Sequence, residues 1–169
     1  MNERWVRLPL VVLATLIVHD AVLRGLRLDG VRPDFLLGLA VVAGLVGGPE
    51  RGAVFGFVAG LVADLFLPTP LGLSALIFCL MGYTVGTLQT TFLPQGRASI
   101  PLTTLVASAA AEVLFALVGS VVGLRGMLTV HLVTIALIVA LVNSLVSPLL
   151  ARAVRWSLVS AQPRGSFAP

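Results

Sequence analysis

Gly52-Ala53-Val54-Phe55-Gly56-Phe57-Val58-Ala59-Gly60-Leu61-Val62-Ala63-Asp64 is the stretch that decides the fold. Its three glycines fall four residues apart, and residues so spaced share one face of an α-helix. Apart from Asp64, nothing after Gly52 in this stretch is polar. Inside lipid, small residues in such a row let two helix backbones approach closely and supply packing that water cannot drive. The segment 52–67 therefore reads as a transmembrane helix packed against a neighbour, closed by Pro68-Thr69-Pro70. Gly56→Leu is expected to damage assembly far more than Ala59→Leu or Val58→Leu. The pairs Gly44/Gly48, Gly82/Gly86 and Gly119/Gly123 repeat the spacing on other segments. This third span is expected at the centre of the bundle.

The rest of the chain agrees with a lipid environment. Of 169 residues, 58% are hydrophobic and only 11% charged, where a soluble domain carries about a quarter charged residues. Mean hydropathy is +1.07. About 20 residues suffice for one crossing, so the length fits about six spans and leaves no room for a catalytic domain outside the membrane. The expected fold is an all-α integral membrane bundle with spans near 8–23, 34–48, 52–67, 71–93, 98–124 and 128–151. A cytoplasmic tail, 152–169, is expected to be disordered. The run from Leu8 to Val18 has the length of a signal-peptide core, but no small-x-small cleavage site follows it. It reads as an uncleaved first helix.

The net charge of +4 sets eleven arginines against seven acidic residues, and the arginines stand singly at the ends of apolar runs. That is a topology signal, not the dense basic surface that nucleic acid requires. With six spans, Arg4, Arg7, Arg51, Arg97, Arg152, Arg155 and Arg164 share the side of the termini, and Arg24, Arg27, Arg32 and Arg125 lie opposite. Positive residues concentrate inside, so both termini are expected in the cytoplasm. Trp5 and Trp156 fit as aromatic anchors at that face.

Ionisable residues within the spans are the candidates for function, because charge is costly in a bilayer. Asp64 continues the stripe of Gly52, Gly56 and Gly60 and so points at another helix; a wet position at the helix end is the competing reading. Glu112 lies about 20 Å along the fifth span, beside the small residues Ser108 to Ala111. It fits equally a protonated acid bonded across helices and a partner-binding residue. Asp20 and Arg24 are spaced to pair on one helix face. His19 and His131 have no third ligand, so interfacial solvation suits them better than metal, and no metal or other cofactor is expected. Cys79 reads as a small buried hydrophobe. Asp20, Arg24, Arg32, Asp34, Asp64, Glu112, Arg125 and His131 all fall in the outer half of the proposed arrangement. The inner half offers Gln89, Asn143, Ser144 and Ser147. No nucleophile–base pair, phosphate-binding loop or paired carboxylate is present, so no enzymatic activity is expected.

Arg32-Pro33-Asp34-Phe35-Leu36-Leu37, the glycine stripe ending in Asp64, Pro70-Leu71-Gly72-Leu73-Ser74-Ala75 and Gly82-Tyr83-Thr84-Val85-Gly86 together resemble the bacterial rod shape-determining protein family MreD. The motifs lie between residues 32 and 86; the second half of the chain matches in hydropathy alone. The resemblance implies a non-enzymatic scaffold in the inner membrane, acting in cell elongation and lateral peptidoglycan synthesis. The implied partners are MreC, MreB and a RodA-type glycosyltransferase with its class B penicillin-binding protein. It also implies a fold similar to the substrate-binding subunits of energy-coupling-factor transporters, and with it an alternative, a vitamin-binding transport subunit. With one tyrosine and few amides, the chain is poor in the convergent polar groups of such a pocket. In a scaffold of this kind Arg32, Asp34, Gly52, Gly56, Gly60, Asp64 and Glu112 are the structural or partner-binding candidates. Asp34 and Asp64 would orient the outer helix ends, with Arg32 or Arg24 compensating their charge.

Overall fold

The structure is a computed structural model that describes residues 10–18, 34–66, 69–91, 99–124 and 131–159. Among these residues there are six helices and no strand: α1 (10–18), α2 (Phe35–Gly47), α3 (Pro49–Asp64), α4 (Leu73–Thr91), α5 (Ser99–Val121) and α6 (His131–Val159). Leu73–Thr91, Ser99–Val121 and His131–Leu158 are long and apolar enough to cross a membrane. α2 is apolar but has 13 residues, about 20 Å against a hydrocarbon core of about 30 Å.

The centre of the bundle is α2, not the third helix. Every residue from Phe35 to Leu45 is buried, and α2 packs against α3, α4, α5 and α6. A helix that is apolar all round suits lipid and protein surroundings alike; the 13 residues of α2, short for a crossing, fit the enclosed position. α3 has two sides. Val54, Phe57 and Leu61 are exposed, whereas Phe55, Ala59 and Ala63 are buried with the glycines. Ala59 is completely buried, so leucine there is costly as well, against the expectation that Gly56→Leu would be far the worse of the two.

The glycine stripe lies on α4, in the most extensive helix pair of the fold. A Cβ on Gly52 would strike the Gly82 carbonyl and come 2.6 Å from Gly44 Cα; on Gly56 it would strike the Phe78 carbonyl; on Gly60 it would lie 2.5 Å from Ala75 Cα. Gly44, Gly52 and Gly82 thus form a node where α2, α3 and α4 meet backbone to backbone. The turn between α2 and α3 needs glycine for another reason: Gly48 has φ +84°, where a side chain is strained, and Pro49 follows at the first turn of α3, where a missing N–H is harmless.

α6 continues to Val159, past Ala151 and into the expected tail. Arg152 and Arg155 are exposed, but Ala151, Val154 and Ser157 are buried at helical spacing, so the apolar stripe outlasts the first arginine. Pro148 sits inside this helix and has no N–H for the carbonyl of Ser144. The Ser147 hydroxyl donates to that carbonyl at 2.7 Å, and the Ser144 hydroxyl donates to Pro101 O of α5 at 2.8 Å. Ser147→Ala is expected to orphan the carbonyl and lower stability by about 1 kcal/mol, measurable as a shift in the denaturation midpoint in detergent.

Candidate functional site

α2 and α3 form a hairpin through Gly48, so the start of α2 and the end of α3 lie at the same end of the bundle. Asp34 and Asp64 mark that end. Asp34 caps α2: its Oδ1 accepts from Leu36 N–H at 3.0 Å and Leu37 N–H at 3.2 Å. Asp64 is only 2% exposed and caps a helix other than its own. Its Oδ2 accepts from Gly72 N–H at 2.7 Å and Ala75 N–H at 3.3 Å, and its Oδ1 accepts from Ser74 N–H at 3.0 Å. The first N–H groups of a helix have no partner within it, and their end of the dipole favours negative charge. A carboxylate held by three amides at the start of α4 satisfies both demands. Gly72 makes the approach possible, since its φ of +99° turns the chain from the α3–α4 connection into α4.

The charge of Asp64 is therefore met by backbone amides. Arg24 and Arg32, the expected compensating groups, lie outside the described residues, as do Asp20 and Arg125. Glu112 is half-buried on α5, which packs against α2. Gly60 lies one turn from Asp64; Gly56 and Gly52 run away from that end along the α4 face, where their surroundings are backbone. No group of three metal-ligating side chains occurs among the described residues.

One polar contact was not anticipated. Asn143, fully buried on α6, donates from Nδ2 to Ser108 Oγ of α5 at 3.2 Å. A Cβ on Gly38 of α2 would lie 3.2 Å from its amide. Ser108 is one turn before Glu112, so α2, α5 and α6 meet at this amide. The signal for it was a lone asparagine in the middle of an apolar helix, a residue that in lipid must find its partner inside the protein.

The architecture defines a polytopic helical membrane protein in which Asp34 and Asp64 each cap the start of a helix. A family model described as rod shape-determining protein MreD matches residues 1–156 of this sequence. The chain belongs to that family. It is a membrane protein of the shape-determining machinery, with a role in rod shape determination. No curated protein and no solved structure matches it.

Proposed function

We propose that this chain is a non-enzymatic scaffold of the elongation complex, and that the Asp34–Asp64 end is the surface it offers to a periplasmic MreC-type partner. The observation that carries the reading is the three-amide lock on Asp64. A carboxylate engaged in this way fixes the α3–α4 junction. A surface ordered in advance loses less freedom on binding, which is what a scaffold needs. Through MreC, and through its own helices, the chain would help organise MreB, the RodA-type glycosyltransferase and its penicillin-binding protein. Affinity purification from mild detergent tests this: the reading expects MreC among the co-purifying proteins. A chain that retains no elongation component, and is instead stabilised by a vitamin through mass action, contradicts it.

The proposal includes an orientation, with both termini in the cytoplasm of a bacterial inner membrane and the Asp34–Asp64 end outside. It rests on the arginine distribution. An impermeant thiol reagent applied to intact cells is expected to label Leu28→Cys and spare Ser160→Cys. The reverse pattern would invert the bundle.

A further inference from the structure

The helices that carry Asp34 and Asp64 stop well short of α5 and α6. A Cβ on Gly47 would lie 3.2 Å from Leu158 Cδ1, and one on Gly38 would lie between Asn143 and Leu150, so α2 runs parallel to α6. Asp34, one turn before Gly38, is then level with about Leu141 of α6. α6 begins at His131, so roughly 15 Å of it, at about 1.5 Å per residue, stands beyond the Asp34–Asp64 end. α5 does the same. Ser108 meets Asn143, and from there α5 runs on to Val121, roughly 20 Å further. α4 does not make up the difference, since Gly44 lies on Gly82 and Gly86, which puts the start of α4 level with Asp34. At the opposite end the two sides finish together. Gly47 lies against both Arg51 and Leu158, and Glu50, Arg51, Arg152, Arg155 and Trp156 are exposed there.

From Arg152 back to His131, α6 covers roughly 31 Å, the thickness of a hydrocarbon core of about 30 Å. Its exposed Val133 and Leu137, with Leu117 and Val121 of α5, keep the projecting part apolar. α3 has 16 residues, about 24 Å. The connection after it therefore lies inside the slab that α5 and α6 define. Residues 65, 66 and 69–72 are not helical, and Leu65, Phe66 and Leu71 are exposed. Irregular backbone does not face hydrocarbon, because its N–H and C=O groups would find no partner there. Tilting the whole bundle would level this end only by offsetting the charged end opposite. A bilayer answers a crossing too short for it by thinning locally. We propose that the membrane surface dips by about 10 Å along the α3–α4 side, so that the Asp34–Asp64 end meets water and headgroups at a depth where α5 and α6 still meet acyl chains. The interacting surface is the lipid leaflet itself. The dip holds for either orientation of the chain and does not rest on the scaffold reading.

The test is nitroxide labelling of the full chain carrying Cys79→Ala, reconstituted alone in dioleoyl phosphatidylcholine vesicles. Labels at Leu71→Cys and Leu137→Cys compare the two sides, and both positions are exposed. Collision with a water-soluble nickel chelate, and with oxygen, which concentrates among acyl chains, reads the depth of each label. Leu137 lies one turn past Leu141, about 6 Å nearer to that face of the membrane than the Asp34–Asp64 end. In a flat bilayer the Leu71 label is therefore the deeper of the two. The proposal expects the reverse: several-fold more chelate collision at Leu71, with oxygen dominant at Leu137. An oxygen-dominated Leu71 label deeper than Leu137 refutes the dip. So does a Leu71 label shielded from both reagents, because protein would then cover this end. Phe66→Cys, at the other end of the α3–α4 connection, repeats the measurement if Leu71→Cys does not fold.

Discussion

Gly56→Leu is expected to separate α3 from α4. A Cβ at this position already strikes the Phe78 carbonyl, with Cys79 N only 2.8 Å away. Both are backbone atoms of α4, so no side-chain rotation relieves the clash. α4 would have to move as a unit and break the node at Gly44, Gly52 and Gly82. The expected loss is about 3 kcal/mol or more, at the upper end for an overpacked core. It should appear as aggregation in mild detergent and low abundance in the membrane. Phe57→Leu, one residue along on the exposed side of α3, should elute like the wild type. If the two variants behave alike, the stripe does not lie on α4.

Asp64→Ala is expected to be the most damaging change at the Asp34–Asp64 end. It removes the acceptor of three N–H groups and leaves them in a buried setting where nothing replaces it. Unsatisfied buried donors cost roughly 1–3 kcal/mol each, and part of that is recovered if water reaches Gly72, whose bond is only part-buried. A net loss of about 3 kcal/mol is a reasonable magnitude. Asp64→Asn keeps one acceptor oxygen and should cost about 1 kcal/mol, in line with exchanges at helix caps. The protein should still insert, because the apolar helices are unchanged. What is lost is the fixed start of α4.

These two residues also show how far the sequence could be read. The contact made by Gly56 was legible because a four-residue period in small side chains has one geometric meaning on a helix. That Asp64 shares that stripe was legible for the same reason. Its partners were not, since they depend on how residues 65–72 reverse the chain, and spacing along α3 carries no trace of that path. The enclosed position of α2 was equally hidden. A run such as Phe35–Gly47 looks the same facing lipid as facing protein, because both surroundings are apolar. Only its shortness hinted at enclosure. At the far end of α6 the arginines drew attention as boundary signals, while the stripe of Ala151, Val154 and Ser157 continued beneath them. The Asn143–Ser108 contact joins positions 35 residues apart, a pairing that no local pattern encodes.

The most direct measurement of the central claim is capture of purified MreC by wild type, Asp64→Asn and Asp64→Ala at matched membrane abundance. The account predicts graded loss, with asparagine intermediate and alanine at background. Undiminished capture by inserted, monodisperse Asp64→Ala would contradict it.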